Sequence, residues 1–174
     1  MSQRVPDRLD PWRFADLGKE ISGEIPMDSL PRLRACLLEC VGEVHFHLHF
    51  QRDMQRRATL SGEIRTVLVL ECQRCLEAVS LPVETKMSVA FVEGYDQAAQ
   101  LPEEIDPCVV EDGQVHFRDL IEDELLLMLP QVARHEPGSC PEQLVTVDEK
   151  PAPQDKENGK NPFAVLAELK RDEK

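Results

Sequence analysis

Residues 41–93 hold three long runs of alternating sequence separated by two short turns, and that pattern dictates paired antiparallel strands. In 41–53, Val44, Phe46, Leu48 and Phe50 alternate with His45, His47 and His49. A strand sends successive side chains to opposite faces, so the apolar set lines one face and the three histidines share the other. The return run, 58–71, places Leu60, Gly62, Ile64, Thr66, Leu68 and Leu70 together. Val67 and Val69 make its second half apolar on both faces, as in a central strand. A third run, 76–93, keeps Val79, Leu81, Val83, Met87, Val89 and Phe91 in one parity. Pro82 cannot donate to a ladder, which predicts an edge or a bulge there. The second turn is the knuckle Leu-Glu-Cys-Gln-Arg-Cys-Leu at 70–76.

The flanks read as helices and loops. Residues 1–17 mix Pro6, Pro11 and charges with Leu9, Trp12, Phe14 and Leu17, an arm docked on the core rather than a regular element. Ile21 and Ile25 mark a short strand within 18–27. Asp28 or Ser29 then caps a helix predicted to run to about residue 39, with Pro31 in its first turn. Leu30, Leu33, Leu37 and Val41 form its apolar stripe, and Cys36 and Cys40 fall on its buried side as small core residues. Residues 93–106 read as an acidic loop, and 108–111 with 114–117 as a hairpin around Asp112-Gly113. Phe117, Leu120, Ile121, Leu125 and Met128 mark a helix on the sheet, ended by Pro130. Its early acids Asp119, Glu122, Asp123 and Glu124 complement the macrodipole.

From Pro141 onward there is little to bury, and 148–160 is too polar to order itself. Asn161 and Pro162 then open a short helix with Phe163, Leu166 and Leu169 on one face, a docking element on a tether. The predicted class is α+β: an antiparallel, strongly curved or barrel-like sheet with two packed helices. Residues 1–141 form the domain, 142–160 a flexible, disordered acidic linker, and 161–174 the C-terminal docking helix.

No apolar run reaches the roughly 20 residues of a membrane helix, and the N-terminus lacks the order of a signal peptide, so a cytoplasmic protein is expected. Thiols stay reduced there. The net charge of −13 opposes a protein that coats nucleic acid, and its distribution is uneven: residues 1–75 are neutral and 76–174 carry the whole excess. Phosphate-facing surface therefore belongs to the first half. Arg52, Arg56 and Arg57 form the densest basic patch there, read as solvated turn charges or as RNA or partner contacts together with Arg74.

The chemistry-bearing residues leave alternatives. Cys72 and Cys75 make half a zinc site, a redox couple or a metal-free turn. A zinc site needs four ligands in two pairs, and His135 with Cys140 is the later Cys/His pair in a loop. That Cys₃His set has a looser second spacing than a double CxxC. A redox CxxC wants a helix start to lower its thiol pKa, whereas strands flank this one. The His45, His47 and His49 row is either a metal face or an ordinary polar face. Acids at a helix start such as those of the 117–128 helix are commonplace, so no catalytic residue is assigned and a non-enzymatic protein is expected.

Four motifs in order, the Leu-Glu-Cys-Gln-Arg-Cys-Leu knuckle, Leu-Ile-Glu-Asp-Glu-Leu-Leu-Leu-Met-Leu-Pro, His-x-x-x-x-Cys and Asn-Pro-Phe-Ala-Val-Leu-x-x-Leu-Lys, resemble the YceD family of large ribosomal RNA subunit accumulation proteins. The resemblance marks Cys72, Arg74, Cys75, Phe163 and Leu166. It implies a non-enzymatic role in production or stability of large-subunit (23S) ribosomal RNA, with large-subunit precursor proteins or rRNA-processing factors as partners and RNA contact direct or through them. Some relatives carry further cysteines after the helix. Here only Cys140 remains, with His135 as the substitute ligand. A zinc-stapled adaptor without an RNA role and a CxxC thiol oxidoreductase are the alternatives.

Overall fold

The computed structural model of the chain describes residues 6–103 and 105–140. In order, these form β1 (Arg8–Leu9), α1 (Pro11–Asp16), β2 (Glu20–Pro26), a single 3₁₀ turn (Met27–Ser29), α2 (Pro31–Arg34), β3 (Glu43–Arg52), β4 (Ala58–Glu71), β5 (Ala78–Val92), α3 (Tyr95–Ala98), β6 (Asp106–Val109), β7 (Val115–His116) and α4 (Phe117–Leu127). The expected linker 142–160 and docking helix with Phe163, Leu166 and Leu169 lie outside the described residues.

The main sheet runs β2-β3-β4-β5-β6. Its first three pairings are antiparallel and β5–β6 is parallel. The sheet is open, which corrects the barrel-like expectation. β6 meets only Val89 to Val92 at the end of β5, and so short a strand cannot carry the ladder round to β2. The three long strands follow their alternation. Val44, Leu48, Phe50, Leu60, Ile64 and Leu68 are fully buried, each burial stabilising by roughly 1.5–3 kcal/mol. Pro82 sits opposite Val67, where β5 has no partner on its other side, so the proline falls at an edge after all.

Helices cover the apolar face. α1 begins where Asp10 accepts a hydrogen bond from the Arg13 N–H at 3.0 Å with Pro11 at the first position, so the expected irregular arm contains a capped helix. It packs on β3 and β4, with Phe14 edge-on to Phe50 at 5.4 Å between ring centres. At the other flank, Phe117 of α4 lies edge-on to Phe46 at 5.2 Å.

Two further expectations are corrected. The helix predicted to reach residue 39 stops at Arg34. β3 pairs with β4 only as far as Arg65, and the rest of β4 needs a partner. Leu38 donates its N–H to the Val69 carbonyl at 2.9 Å and Glu39 bridges the same residue, drawing the chain out straight. Cys36 is consequently exposed and Cys40 half-buried. The expected hairpin at 108–117 does turn at Asp112 and Gly113, both with positive φ, but its arms part. β6 joins β5, and β7 pairs with β1 so that Val115 and Leu9 are buried together.

Glu122 is a third departure. It is 2% exposed and accepts the backbone N–H groups of Arg32 at 2.7 Å and Leu33 at 2.9 Å, and the Arg32 guanidinium at 2.9 Å. The acid expected to serve the start of its own helix instead satisfies the open N–H groups of α2.

Candidate metal centre

The 14 residues of β4 end in the knuckle. Cys72 donates its N–H to the Glu77 carbonyl at 2.9 Å, and Leu76 donates to the Cys72 carbonyl at 2.8 Å. Leu76 takes a φ of 64°, the left-handed conformation the tight turn requires. This wraps backbone N–H groups around the first sulfur. The Gln73 N–H donates to the Ala133 carbonyl at 2.9 Å, tying the knuckle to the chain beyond α4. Pro130 stops that helix, and the irregular chain that follows brings His135 and Cys140 alongside.

The four predicted ligands meet. One donor atom from each of Cys72, Cys75, His135 and Cys140 lies within 4.8 Å of all the others. Cys72 Sγ and Cys140 Sγ are 3.8 Å apart, and His135 Nδ1 lies 3.4 Å from Cys75 Sγ and 3.6 Å from Cys140 Sγ. A zinc ion with bonds of about 2.3 Å to sulfur and about 2.0 Å to nitrogen requires tetrahedral edges of about 3.8 Å and about 3.5 Å. The donor set and its spacing fit that ion. His135 Nε2 lies 3.0 Å from the Ala78 carbonyl, which can only accept, so Nε2 carries the proton and Nδ1 presents its lone pair to the sulfurs.

Local electrostatics suit a thiolate at Cys72. Burial pushes the Cys72 thiol up, but hydrogen bonds from the backbone N–H groups of His135, Cys75 and Arg74 prevail and bring its pKa down to about 5. Burial raises the pKa of Cys75. His135 is raised by its contacts with the sulfurs of Cys72 and Cys140. Arg74, expected to face a partner, turns back: Nε donates to Cys140 Sγ at 2.9 Å and Nη2 to the Glu136 carbonyl at 3.3 Å.

The remaining predicted residues lie elsewhere. His45, His47 and His49 share the exposed face of β3, as their alternation requires. Carboxylates reach them from β2 as well: Glu24 lies 3.3 Å from His45 and Glu20 lies 2.9 Å from His47. Glu24, Glu43 and His45 bring ligand atoms together in the open, with all three exposed. Arg52, Arg56 and Arg57 occupy the β3–β4 hairpin, the length of β4 away from Arg74, roughly 45 Å for a strand of this size. Arg52 pairs with Asp16 at 2.8 Å and Arg57 with Asp53 at 2.6 Å. No helix among the described residues is long and apolar enough to cross a membrane.

The family described as "Large ribosomal RNA subunit accumulation protein YceD" matches residues 60–170, from near the start of β4 through both halves of the metal centre. A protein of that name from Haemophilus influenzae is 31% identical over 173 residues, covering 97% of each chain. No solved structure matches. Similarity over nearly the whole length, joined to a match that spans the knuckle and its distant partners, leaves one conclusion: the chain belongs to the YceD family.

Proposed function

We propose that this chain is a non-enzymatic factor in the making of the large ribosomal subunit, supporting synthesis, processing or stability of its 23S ribosomal RNA. The observation that carries the reading is end-to-end similarity to a relative named for large ribosomal RNA subunit accumulation. The metal centre supports the non-enzymatic part. Cys72, Cys75, His135 and Cys140 supply four protein donors, and a zinc ion held by four protein ligands keeps no open position for water or substrate. Such an ion staples the β4–β5 turn to the chain after α4, giving a rigid surface for large-subunit precursor proteins or rRNA-processing factors. The acidic second half of the chain favours basic protein partners over bare RNA.

The test is sedimentation of a lysate through a gradient, with ribosomal RNA measured in a strain lacking the gene. The chain should travel in part with precursor large particles, and 23S RNA should fall relative to 16S. Protein found wholly at the top of the gradient, with normal 23S levels in the deletion strain, removes the reading.

A further inference from the structure

At the end of β4 opposite the metal centre, a cavity of about 320 Å³ opens between α1, the β3–β4 hairpin and the chain following β5. It is lined by Trp12, Arg52, Arg57, Phe91, Gln97 and Gln100, among others. Phe91 is buried and supplies an apolar floor, while Trp12 stays half-exposed in the wall. This is the composition of a small-ligand pocket: apolar surface with a few convergent polar groups, at a volume near the lower end of such sites.

The polar groups are held in place by contacts that do not exhaust them. Asp16 takes Arg52 Nε at 2.8 Å, and the Arg56 carbonyl takes Nη1 at 3.0 Å. Asp53 takes Arg57 Nε at 2.6 Å, and Gln55 takes Nη2 at 3.2 Å. A guanidinium carries five N–H donors, so each arginine keeps donors for an incoming acceptor. Gln97 uses its carbonyl to accept the Glu93 N–H at 3.1 Å, and its NH₂ has no partner among the described residues. The charge of this corner also differs from that of the chain. Residues 10–19, 51–57 and 91–101 hold Arg13, Lys19, Arg52, Arg56 and Arg57 against Asp10, Asp16, Asp53, Glu93 and Asp96, a neutral balance in a chain of net −13.

We propose that this cavity binds one unpaired nucleotide of single-stranded RNA. The base enters over Phe91 and stacks on the indole of Trp12, the glutamine amides meet its edge, and Arg52 and Arg57 hold the flanking phosphates. Stacking on an aromatic ring combined with guanidinium contacts to the backbone is how unpaired RNA is bound, and a base within a duplex cannot reach such a pocket. The site rests on the proposed role in large-subunit RNA production, to which it adds a direct RNA contact.

Trp12 is the sole tryptophan of the protein, so its fluorescence reads this pocket alone. The full chain is titrated with a short single-stranded oligoadenylate, with AMP, and with a duplex RNA of equal length. The oligonucleotide should quench Trp12 saturably, AMP at least about tenfold more weakly for want of the flanking phosphates, and the duplex not at all. Arg52→Gln should weaken quenching about tenfold, more at low salt than at high salt. Gln97→Ala, which leaves the hairpin untouched, should weaken it by a smaller factor with an unchanged Tm. Absence of quenching by the oligonucleotide, equal or tighter binding of AMP, or quenching unaffected by both substitutions overturns the site. If quenching is absent while the chain still sediments with precursor particles, the site fails and the biogenesis role stands. Saturable quenching by a chain that never joins those particles supports the site and removes only the role.

Discussion

Arg74 Nε lies 2.9 Å from the sulfur of Cys140, 66 residues further along the chain. The arginine between the two knuckle cysteines is thus bonded to a ligand from the other half of the centre. A zinc ion bound by three thiolates and a neutral imidazole would carry one negative charge, which the guanidinium would neutralise. Partners that orient a ligand this way are worth about 10–100-fold in metal affinity. Arg74→Gln should therefore lose zinc to a competing chelator about 10–100-fold more readily, with its far-UV circular dichroism intact. Arg74→Lys should recover part of that, since an ammonium supplies charge without the planar fork. Unaltered zinc retention in Arg74→Gln would return the residue to a surface role.

Purified protein should hold one zinc ion per chain, and removing it should loosen the structure locally. The candidate ligands lie on the β4–β5 turn and on residues 131–140, so a bound ion would tie those segments together beyond the hydrogen bonds that already join them. Hydrogen exchange after chelation should speed at the knuckle and at 131–140 while Leu48, Leu60 and Ile64 remain protected. His135→Ala should show the same local pattern. Global loss of protection on chelation would mean that the sheet itself depends on the metal.

Glu122 offers a stability test away from the centre. Its carboxylate satisfies two backbone N–H groups and one guanidinium in a buried position. Arg32 is half exposed and keeps Asp123 at 2.6 Å, so the cost lies chiefly in the Arg32 and Leu33 N–H groups left without an acceptor, about 1–3 kcal/mol. Glu122→Ala should destabilise by that amount in urea unfolding, and Glu122→Gln by less, since its amide oxygen still accepts. A change below about 1 kcal/mol in Glu122→Ala would mean that water replaces the carboxylate.

Gly62 shows how tightly the central strands approach. It pairs with Leu48 on one side and Met87 on the other, and a Cβ there would run into the His47 carbonyl oxygen and the Leu48 backbone. Backbone cannot yield as a flexible side chain does, so Gly62→Ala should cost about 1–3 kcal/mol or more, measured by urea unfolding. Gly42→Ala, with no atom within 4 Å of the added Cβ but a φ of 92°, tests conformational strain alone.

The sequence showed β3, β4 and β5 plainly, because a period of two with one face buried allows a single assignment for every side chain. Cys72, Cys75, His135 and Cys140 were also visible, since zinc chemistry asks for two donor pairs and the chain offers a suitable second one. What escaped depends on distances the sequence does not contain. The helix beginning at Pro31 ends early because β4 outruns β3, and nothing near Leu38 announces that Val69 waits for it. Arg74 read as an outward charge because its partner lies on another loop. Trp12 read as part of an irregular arm, although Asp10 before Pro11 was a helix-start signal.

Asp53 gives the expected pH dependence. It closes the β3–β4 hairpin, accepting the N–H groups of Gln55 at 2.9 Å and Arg57 at 2.8 Å and the Arg57 guanidinium at 2.6 Å. Burial pushes its pKa up, but the hydrogen bonds and charge of Arg57 outweigh that and hold it below the ordinary carboxylate range. A folded-state pKa below the unfolded one adds stability that is fully present above the unfolded value, near pH 3.8, and is lost as pH falls through the folded value. Asp53→Asn retains an acceptor for the backbone N–H groups but loses the charge. It should be less stable than wild type by about 1.5–3 kcal/mol at pH 7, the range for hydrogen bonds to a charged group. The difference should shrink as pH falls below about 4, because wild type then loses the same charge by protonation. Urea unfolding of both proteins at pH 7 and at steps down to pH 2.5 measures the gap. A gap that stays constant with pH would assign the loss to turn geometry rather than to the carboxylate charge.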